Sequence, residues 1–377
     1  MVHWTREAVG LASIWTVLVG IGLIMASSAP VMIAQDRFGD PLFFFKRQVF
    51  YAAVGLIALI VCIRIPYNLW LYPTVMRWIF LGCTVGLIAV LWLPPIRSAH
   101  RWIRLGPLSL QPSEFAKLGL ILYLAFLAHR AGRTGFRRWQ ATTAYALIVP
   151  ALWALLILCE PDLGNGVILL VLAGLLVFIY GIPMRVLLLG GGVLAILIGI
   201  AFTVWVDPPQ YWIERIRAYL EPEAYRQTAA YQQYQAMIAL GHAGPWGTGF
   251  GRGMQKLFYL PESYNDYVFA VLGEELGLPG TLAVTLLYFV LWILGIRVAQ
   301  RAWTPAGSLM AMGIACWIAL QAFLNISVVT GLLPSKGVVL PLISYGGSAL
   351  VIFSAAMGIL ISIANHNFYM GESDAAP

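Results

Sequence analysis

The sequence predicts an all-α polytopic membrane protein of about ten transmembrane helices with a long extracytoplasmic loop between helices 7 and 8. Three observations carry that prediction. Hydrophobic residues make up 60% of the 377 positions and charged residues only 10%, where a soluble domain carries about 25% charged residues. Apolar runs of about 20 residues, enough to cross a bilayer, recur along the whole chain. Gly, Pro and charged clusters fall between those runs, where a spanning backbone must break to line a cavity or meet water.

Taken in order, the runs predict spans at roughly 8–27, 46–63, 77–94, 113–129, 142–159, 164–181, 186–206, 278–297, 307–328 and 347–365. They make one integral membrane domain over residues 1–377, without an internal repeat. The first run lacks a small-residue cleavage site and is expected to be kept as a helix. An even number of spans puts both termini on one side. Four arginines in His129–Gln140 (Arg130, Arg133, Arg137 and Arg138) mark a cytoplasmic loop. Both termini are then cytoplasmic, and the large loop at about 207–277 faces outside.

Acidic residues follow the same division. Only Glu7, Glu372 and Asp374 fall on the cytoplasmic side, and the other thirteen carboxylates lie on or near the outer face. Polar chemistry is therefore expected outside. The net charge of +7 suits anionic headgroups or an anionic substrate. No basic run with interleaved aromatics points to nucleic acid. Cys62, Cys83, Cys159 and Cys316 sit in apolar runs without metal-ligand spacing, which argues against a disulfide framework or a zinc site.

Four clusters can carry chemistry. In His100–Gly119, Pro112 starts the fourth span and puts Glu114 and Lys117 three apart on one face, near Arg101 and Arg104. They read as a structural ion pair or as a substrate-facing one. In Glu160–Asn165, Asp162 caps the next helix, or Glu160 and Asp162 hold a divalent cation. Leu260–Gly277 crowds Glu262, Asp266, Glu274 and Glu275. Asp266 reads as a general base at a helix N-terminus or, with Asn265, as a cap; Glu274 and Glu275 read as helix-terminal contacts. In Leu332–Ser348, Lys336 can steady phosphate charge on a leaving group or simply snorkel. Ser344 to Ser348 permit close backbone approach at the start of the last span.

Within the long loop, YWIERIRAYL sets Trp212, Ile213, Ile216, Tyr219 and Leu220 against Glu214, Arg215 and Arg217. Such a helix lies in the membrane interface or packs on neighbouring spans. Together the clusters suit transfer from a lipid-linked phosphate donor.

Five ordered blocks carry a resemblance: RWIRLGPLSLQPSE, EPDLG, IALGHAGPWGTGFG, QKLFYLPESYNDYVFAVLGEELG and FLNISVVTGLLPSKGVVLPLISYGGS. In these the chain resembles the SEDS family of bacterial shape, elongation, division and sporulation proteins, its division branch more than its elongation branch. The resemblance implies a peptidoglycan glycosyltransferase that polymerises lipid II at the outer face of the cytoplasmic membrane for septal wall synthesis. It also implies a class B penicillin-binding protein as transpeptidase partner, beside other division-complex membrane proteins.

By the same resemblance Asp266 is catalytic, and Arg101, Glu114, Lys117, Asp162 and Lys336 line the substrate cavity. Glu262 and Ser344 join them as substrate-binding candidates. The residues before that aspartate, commonly His-Thr in the family, are Tyr264 and Asn265 here, which bears on local positioning. The implied chemistry is an inverting transfer in which Asp266 deprotonates the acceptor 4-hydroxyl. Arg101 and Lys336, with Mg²⁺ or Mn²⁺, would stabilise the departing undecaprenyl pyrophosphate. The rival class is a transporter that flips lipid II without covalent chemistry, and a non-catalytic division scaffold is the third.

Overall fold

The computed structural model describes residues 4–94, 101–105, 108–134, 139–160, 162–192, 209–228, 230–256, 260 and 263–373. The chain runs through α1 (Arg6–Ser28), α2 (Val31–Phe38), α3 (Phe43–Arg64), a 3₁₀ turn (Tyr67–Leu71) and α4 (Pro73–Trp92). A two-stranded antiparallel hairpin follows, β1 (Ile103–Leu105) with β2 (Leu108–Leu110). Then come α5 (Pro112–Thr134), α6 (Trp139–Cys159), α7 (Leu163–Ile179) and a helical stretch at 184–192. The last elements are α8 (Pro209–Leu220), α9 (Tyr231–His242), α10 (Val268–Gln300), α11 (Pro305–Val329) and α12 (Gly347–Ser373).

Local chemistry accounts for the helix starts. The Thr5 and Thr304 hydroxyls cap α1 and α11 through the amides of Ala8 and Gly307, at 3.1 and 3.0 Å. Pro73, Pro112 and Pro305 open α4, α5 and α11, where a missing N–H costs nothing.

Six helices among the described residues are long and apolar enough to span a membrane: α1, α3, α4, α10, α11 and the Gly347–His366 part of α12. Thr143–Cys159 and Leu163–Ile179 are apolar but shorter, and α5 is 23 residues long with two charges in its opening turns. These nine match nine of the ten expected spans. The tenth, at 186–206, lies mostly outside the described residues.

Packing ranks the helices from centre to rim. The apolar window of α12 is 89% buried and that of α11 67%, whereas that of α4 is only 22% buried. α12 therefore forms the centre, against α1, α3 and α11, and α4 turns Trp78, Leu81, Val85 and Ile88 outward. An outward apolar face suits lipid, where it costs nothing to expose. Trp15 Nε1 donates to Ser354 Oγ at 3.0 Å and fixes α1 on the centre.

Hydrogen bonds define the two ends of the bundle. At one end Thr5 N donates to Asn365 Oδ1 (3.3 Å), Arg301 pairs with Glu7, and Tyr67 OH meets Thr304 Oγ1 (3.1 Å). The first and last described stretches of the chain thus share this end. At the other end lie the starts of α5, α7, α10 and α12 and the close of α6 and α11. All four clusters singled out from the sequence converge there.

The expected long loop is largely folded. α8 and α9 lie in it, and α10 begins at Val268, ten residues before the expected span. Gly277 explains the difference: at φ 64°, ψ −157° it breaks α10 into a short first helix and a spanning second one. The first helix is held from below by its two glutamates. Glu274 accepts from the amides of Met254 (2.7 Å) and Gln255 (3.2 Å). Glu275 accepts from Lys256 Nζ (2.6 Å) and Ser28 Oγ (2.8 Å). Both are buried, so they brace the loop on α1 rather than merely close a helix end.

Gly277 occupies backbone space that is essentially glycine-only, and a Cβ there would stand 2.4 Å from Gly247 N. Gly277→Ala should therefore destabilise the protein by about 1–3 kcal/mol, read as a lower unfolding temperature in detergent. An unchanged temperature would show that this kink is not needed by the fold.

Candidate active site

The site is built on the segment between α11 and α12, whose carbonyls are held one after another by side chains from three helices. Tyr219 OH of α8 donates to Leu332 O at 2.9 Å, and Arg215 NH1 to Ser335 O at 2.7 Å. Gln233 Nε2 of α9 donates to Leu333 O at 2.8 Å. Asn325 Nδ2 and Gln321 Nε2 of α11 donate to Val338 O (2.6 Å) and Val339 O (3.3 Å). An irregular segment at this depth needs such partners, because its backbone makes few bonds of its own. Lys336 and Gly337 stand at its middle, half-buried and exposed respectively.

Asp266 reaches this segment from the other side. It precedes α10 by two residues, and Tyr267 holds the cap position, without a side-chain bond. Its carboxylate lies against Gly337, where a Cβ would come 2.7 Å from Asp266 Oδ2. The backbone leading to it is pinned at three successive carbonyls. Tyr345 N donates to Tyr264 O (2.9 Å), Ser344 Oγ to Asn265 O (2.6 Å) and Asn325 Nδ2 to Asp266 O (2.7 Å). The Tyr264 ring packs between Phe44 and Tyr345, with centroids 4.5 and 5.7 Å away. Tyr264 and Asn265, which replace the usual His-Thr, are thereby firmly anchored.

The third wall is the start of α7. A Cβ on Gly164 would meet Val338 Cγ2 at 3.3 Å and Gly337 O at 3.9 Å, so α7 abuts the Lys336 segment. Asp162 caps α7 through Asn165 N (3.2 Å), as one sequence reading expected. Its Oδ2 also takes bonds from Asn165 Nδ2 (2.9 Å) and Gln111 Nε2 (3.3 Å), with Arg101 Nε at 3.7 Å. Arg101 is 30% exposed and also donates to Glu160 O at 3.4 Å.

Electrostatics single out two groups. Burial, then the Arg215 charge, hold the Lys336 ammonium below the ordinary lysine value, with Asp162 opposing. The Glu160 carboxyl is fully buried, and among the described residues neither oxygen has a hydrogen-bond partner. Burial and the neighbouring Asp162 push it up to about 9, against Arg101.

The predicted residues thus divide in two. Asp266 and Lys336 meet at Gly337, and Arg101 stands on Asp162 at the adjoining start of α7, all three at solvent-accessible positions. Glu114, Lys117, Asp162 and Ser344 lie behind them, buried. Lys117 Nζ donates to Glu114 Oε1, Asn165 Oδ1 and Gln321 Oε1, each at 2.8 Å, so the pair is structural in geometry rather than open to substrate. Ser344 likewise spends its hydroxyl on Asn265 O and the Leu340 amide (2.8 Å). The glycines beside it do serve close approach, but to protein: a Cβ on Gly347 would strike the Tyr51 ring at 2.2 Å. Glu262 lies outside the described residues.

Sequence reading missed Arg215, Gln321 and Asn325 as site residues. The signal for the last two was available, since polar side chains inside an apolar span face the bundle interior. For Arg215, the helix carrying it packs on the Lys336 segment, with Ala218 buried beneath, which favours the packed reading of α8 over the interfacial one.

The family model described as cell cycle protein, FtsW/RodA/SpoVE, matches residues 10–369. The chain belongs to this family. It is 39% identical over 366 residues to the probable peptidoglycan glycosyltransferase FtsW of Thioalkalivibrio sulfidiphilus, covering 95% of this chain and 89% of that one. It is 38% identical to stage V sporulation protein E of Bacillus subtilis, covering 95% and 97%. Among solved structures it superposes on a chain of a peptidoglycan synthase complex, described as coordinating polymerization and crosslinking, at TM-score 0.77 and 26% identity. That match covers 98% of this chain and 99% of the other. A mutant of the rod shape determining protein RodA from Thermus thermophilus matches at TM-score 0.70 and 25% identity, with the same coverage. As an FtsW/RodA/SpoVE protein, the chain has Arg101, Asp162, Asp266 and Lys336 at one end of a membrane bundle, in four of the five blocks on which the SEDS resemblance rested.

Proposed function

We propose that this protein is a peptidoglycan glycosyltransferase that polymerises lipid II in septal wall synthesis. One observation carries the reading. An accessible carboxylate, Asp266, lies against the backbone at Gly337, the residue that follows the half-buried Lys336, at the polar end of an FtsW-like bundle.

In this reading Asp266 takes the proton of the acceptor 4-hydroxyl. The oxygen attacks the anomeric carbon of the donor glycan from the face opposite the pyrophosphate. The bond to pyrophosphate breaks with inversion, and Lys336 and Arg101 meet the charge that develops on the undecaprenyl pyrophosphate. A divalent ion, Mg²⁺ or Mn²⁺, fits as one shared with the substrate. Among the described residues no three His, Cys, Asp or Glu side chains gather, but Glu160 offers two buried oxygens without partners. Glu160 and Asp162 would hold such an ion, and it would supply positive charge to the pyrophosphate.

The positive-inside rule supports an orientation with the terminal end cytoplasmic. Arg130 and Arg133 close α5, Arg137 and Arg138 precede α6 in the sequence, and Arg297 and Arg301 stand in the last turn of α10 and just after it; the acids on that side of the sequence are Glu7, Glu372 and Asp374. The site then faces outward across the bacterial cytoplasmic membrane. A class B penicillin-binding protein would crosslink the strands made here, within a complex of other division membrane proteins.

The deciding experiment incubates the purified protein, alone and with a class B partner, with lipid II in vesicles. Glycan polymer is the expected product. Lipid II that changes leaflet intact, with no polymer, would replace the reading by the transporter. Lys336 adds a pH test. Because its pKa is lowered, it loses its proton at a lower pH than a solvated lysine. Polymerisation should fall on the alkaline side as it does so, and Lys336→Arg should move that fall to higher pH. An alkaline limb unmoved in the arginine variant would remove Lys336 from the reaction.

A further inference from the structure

Asn325 lies in the last turns of α11 and is 2% exposed. Its amide nitrogen has two hydrogens, and both are used on the site: one on Asp266 O at 2.7 Å, the other on Val338 O at 2.6 Å. Both neighbours are carbonyls, so only the nitrogen can face them. The amide oxygen is buried without a hydrogen-bond partner among the described residues. A buried orphan acceptor carries a desolvation cost that leucine of similar size would avoid. The side chain is thus kept for its two donors, and those donors bridge the two halves of the site. Between the bridged points, Gly337 passes directly over the Asp266 carboxylate.

We propose that Asn325 is a positioning residue that fastens Asp266 to the Lys336–Val338 segment and sets base and cation in register. The proposal rests on the glycosyltransfer reading above. A misplacement of about 1 Å between reacting groups can cost 10²-fold in rate, and without the bridge the Asp266 stretch is tied to this segment at Ser344 and Tyr345, several residues beyond Lys336.

The test is a double-mutant cycle on the full chain with its class B partner, following lipid II polymerisation. Asn325→Ala should lower kcat by about 10²-fold and leave KM within a few-fold. In a Lys336→Ala background the same substitution should cost only a few-fold, because the register it protects no longer matters; residues that act as a unit are non-additive. Equal losses in both backgrounds would mark Asn325 as merely structural and overturn the proposal, as would wild-type kcat in Asn325→Ala. If the alanine variant does not insert or fold, Asn325→Leu keeps the volume without the donors and is read in the same cycle. Absence of polymer from the wild type would defeat the glycosyltransfer reading itself, and this inference with it. Polymer from the wild type with an additive cycle would defeat this inference alone.

Discussion

Replacing Asp266 by alanine should abolish polymerisation while leaving a folded, inserted protein. The expected loss in turnover is about 10²–10⁴-fold, the usual worth of a positioned general base. Folding should survive because three backbone bonds hold this stretch whatever side chain stands at 266. The bonds that pin it go to the backbone carbonyls of Tyr264, Asn265 and Asp266, which alanine keeps. Asp266→Asn is the sharper variant, since it preserves shape and removes basicity. Its unfolding temperature should match the wild type and its activity the alanine variant. Wild-type polymerisation by the asparagine variant would show that the carboxylate is not the base. A loss in both variants accompanied by a large fall in unfolding temperature would place Asp266 in the fold instead.

Much of the architecture was legible because hydropathy is a property of windows, and windows survive ignorance of contacts. Pro112 announced the start of α5, and the Asp162 carboxylate announced the cap of α7. What windows blur is a helix whose first part is polar. The segment before Gly277 contains two adjacent glutamates and falls within the large loop by hydropathy, though Asp266 reads as standing at a helix N-terminus; it is a buried helix because Lys256, Ser28 and two backbone amides satisfy them. Charge was equally ambiguous. Lys117 and Lys336 both stood in polar clusters at span boundaries, and only their surroundings separate them. Three protein oxygens enclose one, whereas the other remains half-buried beside the exposed Gly337. Asn325 and Gln321 were hidden for a further reason. Inside an apolar run of 25 residues, a lone amide hardly alters the window, and its worth lies in carbonyls from distant parts of the chain.

Lys117→Met should be among the most damaging substitutions away from the reacting atoms. The ammonium is completely buried and ties α5 to α7 through Asn165 and to α11 through Gln321, with the Trp317 ring 5.5 Å away. Removing it strands the Glu114 carboxylate, which is 2% exposed and whose second oxygen already has no hydrogen-bond partner among the described residues. Breaking one side of such a pair costs about 3–5 kcal/mol, because the remaining charge stays in a low-dielectric interior. That is a large share of the roughly 5–15 kcal/mol that holds most proteins folded. The effect should reach the site as well, since Gln321 also donates to Val339 O beside the Lys336 segment. The double variant Glu114→Gln with Lys117→Met removes both charges and should recover more than half of the lost stability, measured as unfolding temperature in detergent. A single variant as stable as the wild type would refute the buried-pair account. A double variant that folds and polymerises lipid II would confine Lys117 to the scaffold, and one that folds without activity would give it a part in the reaction despite its burial.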